Sequence, residues 1–111
     1  MTPEGKAKAR FRTQVKAKAA ALGAELHLAG QGGSQYGTAS VDYTGWLFKP
    51  GVMEWPRPFA VEVKRFDRPE RLTERQEATL RRFEQTGAAG FEVKSEDELQ
   101  QFLAWMHAVC L

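Results

Sequence analysis

Phe59-Ala60-Val61-Glu62-Val63-Lys64 is the stretch on which the reading of this chain turns. It is β-type, with a carboxylate and an ammonium set among apolar residues on a two-residue period. In a strand, Phe59, Val61 and Val63 share one face, while positions 60, 62 and 64 share the other. Burial of the apolar face therefore predicts Glu62 and Lys64 side by side on the opposite surface. Upstream, Ser40-Val41-Asp42-Tyr43 offers a second carboxylate from a neighbouring strand. Two acids and a lysine converging on one point make a hard-cation site able to act on phosphate.

Outward from that strand, punctuation residues divide the chain into elements. At the start, Thr2 suits a helix cap, Pro3 the first helical position and Glu4 the positive end of the dipole. Phe11, Val15, Ala19 and Leu22 form an apolar stripe, and Gly23 is a natural stop. Ala24 to Ala29 reads as a short strand and Gly30 to Gly37 as a flexible loop. Val41 to Phe48 reads as a second strand kinked at Gly45, and Lys49 to Pro58 as a turn-rich connection. Beyond Lys64, Thr73-Glu74-Arg75-Gln76 and Ser95-Glu96-Asp97-Glu98 both match the capping box. The first of these helices runs to about Thr86 with Ala78, Leu80 and Phe83 inward and Gly87 as its stop. Gly90 to Lys94 is a short strand, and the last helix buries Leu99, Phe102, Leu103, Met106 and Val109. The order α-β-β-β-α-β-α predicts one α/β domain over residues 1–111, a small mixed sheet flanked by helices.

A chain of 111 residues is long enough for one core and too short for two. No apolar run is long enough to cross a bilayer, and the basic N-terminus lacks the hydrophobic segment of a secretory signal. The lone Cys110 has no partner for an internal disulfide and reads as a small packing residue, so a reducing, cytoplasmic setting is expected. The net charge of +2 says less than its distribution. Lys6, Lys8, Arg10, Arg12, Lys16 and Lys18 face the single acid Glu4 in the first helix, while Glu92, Glu96, Asp97 and Glu98 gather near the other end. A basic arm opposite an acidic end suggests a polyanionic partner, although a charge run alone fits a solvated helix face better.

Magnesium prefers octahedral oxygen coordination, taking one or two protein carboxylates, waters and substrate phosphate oxygens. Asp42 and Glu62 supply such carboxylates, and the backbone carbonyl of Val63 a further oxygen. Lys64 is placed to orient or deprotonate a water, or to hold a phosphate oxygen by charge. Each motif alone fits a bland alternative: an exposed strand ion pair for Glu62 and Lys64, a backbone-satisfied strand-end acid for Asp42.

Asp42 followed by Glu62-Val63-Lys64 resembles the signature of the PD-(D/E)XK nuclease superfamily. More narrowly, the surroundings resemble the VRR-NUC branch of small stand-alone phage and bacterial proteins. The shared features are Thr2-Pro3-Glu4-Gly5-Lys6 opening the first helix, the Gln31-Gly32-Gly33 loop, Asp42 followed by Gly45, and Leu72-Thr73-Glu74-Arg75-Gln76 opening the next helix. The resemblance implies a restriction-endonuclease-like domain that hydrolyses phosphodiester bonds in DNA with Mg²⁺, or Mn²⁺ in its place. Branched, flap or junction substrates and a homodimer are expected on the same ground. It implies Asp42 and Glu62 as metal ligands, Lys64 as catalytic lysine, Glu4 as an additional acid and Gln76 as a polar residue aimed at the site. Val41 stands where the superfamily name has proline, a loss of rigidity and not of chemistry. The segment from Lys49 to Pro58 is longer and more aromatic than a minimal hairpin.

Glu4 and Gln76 have structural explanations of equal weight, a first-turn acid and a capping-box partner. Lys6, Lys8 and Arg12 on the first helix, with Arg65, Arg68, Arg71, Arg75, Arg81 and Arg82, are candidates to neutralise phosphates. His27 and His107 have no nucleophile or ligand at useful spacing. Among the tryptophans, Trp105 belongs to a core stripe, and Trp55 between prolines is the better candidate for substrate or partner contact. Two competing readings stay open. A non-catalytic nucleic-acid-binding or scaffold protein that keeps the fold predicts salt-sensitive DNA binding without scission. An interaction domain using Trp55 and the last helix predicts no phosphate affinity.

Overall fold

The computed structural model describes residues 1–30, 41–68 and 70–111. Along them run α1 (Pro3–Leu22), β1 (Glu25–Gly30), β2 (Tyr43–Phe48), β3 (Arg57–Val63), α2 (Glu74–Gln85), β4 (Ala89–Val93) and α3 (Glu96–Val109). The strands lie in the order β1-β2-β3-β4. The β1–β2 and β2–β3 pairs are antiparallel, and β3–β4 is parallel, with α2 as the crossover that a parallel pair requires. This is the α/β order and mixed sheet expected from the sequence. The glycine-rich loop, with Gln31-Gly32-Gly33, falls outside the described residues apart from Gly30, which ends β1.

Helices cover both faces of the sheet. On one, Phe11, Val15 and Ala19 of α1 and Leu99, Phe102 and Met106 of α3 pack on Tyr43, Leu47, Phe59, Val61 and Val63. Phe102 is the hub of this layer, its ring centroid 5.2 Å from Phe11, 5.4 Å from Phe59 and 4.9 Å from Phe91. On the other, Leu80 of α2 packs with Val41 and Ala60, flanked by Leu72 and Phe83. The second face of β3 is therefore not the open surface that its alternation suggests: residues Phe59 through Val63 are all buried. A parallel β-α-β unit explains this, because its crossover helix must lie on a sheet face. Within α2 the inward side is set by Leu80 and Phe83, and Ala78 is exposed, contrary to expectation.

The helix ends follow local chemistry. Thr2 accepts the Gly5 N–H at 3.0 Å, and Gly23 closes α1 at φ +67°. Thr73 and Gln76 form the full reciprocal box at α2. At α3 only half of the expected box exists: Ser95 accepts from Glu98 N–H, but the Glu98 carboxylate takes the Lys94 N–H at 2.9 Å. Pairing runs through Gly45 on both sides, to Leu28 and to Phe59, so the expected kink does not interrupt the ladder. What glycine provides there is room, since a Cβ would sit 2.0 Å from the His27 carbonyl oxygen and 2.7 Å from Phe59 Cζ.

Candidate active site

The chain bends at Asp42, one residue before β2 begins. The Tyr43–Val61 register would next bring backbone opposite Val63, but the Asp42 side chain stands in for it. Its Oδ2 accepts the Val63 N–H at 2.8 Å. The bland expectation for Asp42 is thus half right: one oxygen serves the sheet. The other, Oδ1, lies 3.2 Å from Lys8 Nζ, which reaches across from α1. A strand residue points its carbonyl to the same edge as its own N–H, so the Val63 carbonyl faces the Asp42 side as well.

Glu62, on the α2-facing side of β3, is 2% exposed. It is not the exposed ion pair of the bland alternative. Its carboxyl abuts that of Asp42, and its Oε2 is buried with no hydrogen-bond partner among the described residues. Burial, then the hydrogen bond and negative charge of Asp42, push the Glu62 pKa up to about 8, against the opposing pull of Lys64 and Lys8. When both acids are ionised they are acceptors only, and neither satisfies the other. A proton on Glu62 permits one bond between them. A cation between them satisfies both.

Glu4, one helical turn before Lys8, has its carboxylate 3.8 Å from Lys8 Nζ. Burial works against the charge of Lys8, but Asp42 and then Glu4 raise its pKa on balance. Glu4 also shares a cleft of about 360 Å³ with Lys64, Arg65, Glu70 and the helix start at Thr2 and Pro3. The structure therefore brings together Asp42, Glu62, Lys64 and Glu4. It does not bring Gln76 to them by any described bond: the Gln76 side-chain oxygen accepts the Thr73 N–H at 3.0 Å, so its capping role is occupied. Among the described residues, no group of three or more His, Cys, Asp and Glu stands at metal-holding distance. The acid pair with the Val63 carbonyl is the donor set that fits a hard divalent ion.

Several cations assigned to phosphate have partners within the chain. Arg65 makes a two-pronged bond to Asp67 at 2.8 and 2.7 Å. Arg12 donates to the Tyr43 hydroxyl at 2.6 Å, and Arg81 is paired with Glu84. Lys8 belongs to the acid cluster instead of to an open basic arm. The signal for this was its spacing of four from Glu4, which sets both on one face of α1. His27 is exposed on the edge strand β1 and stacks on Trp46, and Trp105 is held among Phe59, Phe91 and Phe102. Trp55 is 77% exposed in the β2–β3 connection. None of the described helices is long and apolar enough to cross a membrane.

In architecture and site, the chain is a three-layer α/β protein in which the buried Glu62 of a central strand, followed by Lys64, meets the half-buried Asp42 at the start of the neighbouring strand. No family model, curated protein or solved structure matches it.

Proposed function

We propose that this protein is a metal-dependent nuclease that hydrolyses phosphodiester bonds in DNA. One observation carries the reading: a carboxylate in the central strand, 2% exposed and with an oxygen left without a partner among the described residues, abuts a second carboxylate. Burying a carboxyl group with an unsatisfied oxygen is costly, and such a group in a core calls for an explanation, a bound ion among them. The donor set fits Mg²⁺, with Asp42, Glu62 and the Val63 carbonyl as its holders. A bound ion supplies Lewis acidity and offsets the charge that grows on the scissile phosphate.

The chain's own residues do the rest. Asp42 is fixed by the Val63 N–H, so its carboxylate is aimed without a search of rotamers. Glu62 is held by packing on both sides of β3. Lys64 follows in the same strand direction and opens onto the cleft with Glu4, where it orients the attacking water or holds a phosphate oxygen. The order of elements and the resemblance around Asp42, Glu62 and Lys64 support the same reading.

Purified protein is incubated with plasmid, flap and four-way-junction DNA, with Mg²⁺ or with a chelator. Cleavage that needs the ion and falls at least about a hundredfold in Asp42→Asn and Glu62→Gln is expected, in line with the loss of an electrostatic catalytic group. Cleavage unchanged by either substitution removes the site. The alternative, a nuclease fold retained for binding alone, is favoured by the Lys8–Asp42 pair at 3.2 Å, which already neutralises one acid. It predicts DNA binding with no scission under any divalent ion.

A further inference from the structure

We infer that Lys8 is a built-in counter-cation that limits the acid cluster to one divalent ion. The inference rests on the metal-dependent reading above and assigns Lys8 a role in it. Lys8 Nζ stands 3.2 Å from Asp42 Oδ1 and 3.8 Å from Glu4 Oε1, so it occupies the side of Asp42 that faces α1. The ammonium is not a loosely held surface charge: its side chain is 31% exposed and that of Asp42 18%. Asp42 Oδ2 is bound to the Val63 N–H. Among the described residues Oδ2 accepts only that one N–H and keeps a lone pair for a first ion, whereas a second could enter only by taking Oδ1, which the lysine holds.

Charge balance points the same way. In the ion-bound form, where Glu62 has given up its proton, Glu4, Asp42 and Glu62 stand ionised against Lys8 and Lys64, and these groups carry one net negative charge. One divalent ion turns this into one net positive charge, which a phosphodiester group matches. A second ion would leave a large positive excess beside two ammoniums in a partly buried place. Lys8 thus does by covalent attachment what a second ion does in two-metal sites, where the pair shares the charge of the reacting phosphate. It is a positioning residue, since it acts through Asp42.

The test counts ions on the intact chain. Mn²⁺ is titrated by calorimetry, and bound Mn²⁺ is counted by electron paramagnetic resonance, in the natural protein, Lys8→Met, Lys8→Gln and Lys8→Arg. Circular dichroism confirms that each is folded. The two neutral variants guard against a single misfolded one. One ion on the natural chain and on Lys8→Arg, and two on the neutral variants, is the expected result. A neutral variant that still binds one ion, with unchanged or merely tighter affinity, overturns the inference. Binding to the neutral variants but not to the natural chain would mean that Lys8 excludes every ion, which overturns both the one-ion inference and the metal-dependent reading of the natural protein. No ion on any of the four sinks both.

Discussion

At the scale of the residue, Glu62 carries the most consequence. Sequence alternation placed it opposite Val61 and Val63, and that is where it is. What alternation does not carry is cover: whether the second face meets water or a helix depends on where α2 packs, which is a property of the crossover and not of the strand. The buried carboxylate therefore has a pH signature that the sequence did not show. Its pKa is raised from the ordinary 4.5 to about 8, first by burial and then by Asp42. Between those values the native state keeps a proton that the unfolded chain has released. Native protein thus binds more protons, and stability falls as pH rises through the window, then levels above it. Urea unfolding of metal-free protein is expected to show Glu62→Gln gaining on the natural chain as pH rises, with a slope of up to about 1.4 kcal/mol per pH unit. A constant difference between the two from about pH 5 to pH 8 would mean that Glu62 is not held in its neutral form by the fold. On the proposed metal-dependent reading, excess Mg²⁺ competes with the proton for the same oxygens and is expected to flatten the slope of the natural chain.

At the scale of the element, turn and cap residues made most boundaries legible, because their effect is local. Thr2, Gly23, Thr73 and Gly87 act through bonds and dihedrals within a few residues of themselves. The half-formed box at α3 shows the limit of such patterns: Glu98 had two backbone N–H groups within reach and bonded Lys94 instead of Ser95. Ala78 fails for a related reason, since a small apolar residue beside a helix stripe has no strong demand for burial, and Leu80 with Phe83 decides the face. Gly45 was legible as a special position, but its cause is tertiary. It lies between two paired strands, where a methyl group would sit 2.0 Å from the His27 carbonyl oxygen. No side-chain rotation relieves a clash with backbone. Gly45→Ala is therefore expected to cost at least about 3 kcal/mol, beyond an ordinary overpacking penalty, by prying β1 from β2. Chemical denaturation measures the loss, and amide exchange should place it in β1 and β2, sparing β4. Full stability in the variant would show that the β1–β2 spacing yields easily.

At the scale of the whole molecule, the basic arm and the acidic end of the sequence prove to be neighbours. Packing of α1 against α3 brings Arg10 to Glu96, with bonds of 2.7 and 2.5 Å. Linear charge maps miss this because they hold no information on which helices share a face. The consequence is that cations of α1 fall into two groups. Lys8, Arg10 and Arg12 are engaged by Asp42, Glu96 and Tyr43. Lys6, which lines a cavity of about 290 Å³ with Arg10 and Phe66 beside the cleft that holds Glu4 and Lys64, has no ion pair among the described residues. Both residues sit one turn apart on one helix, yet only an unpaired cation gains from displacing the counterions of DNA. Lys6→Ala is expected to lower the slope of log affinity against log salt by roughly one, while Arg10→Ala leaves that slope unchanged. Fluorescence anisotropy with labelled flap DNA in chelator, across a salt series, reads both slopes without cleavage. Equal reductions in the two variants would show that Glu96 releases Arg10 to the nucleic acid, so that α1 presents its charge as an open arm after all. No reduction in either would remove this face of α1 from the proposed contact with DNA.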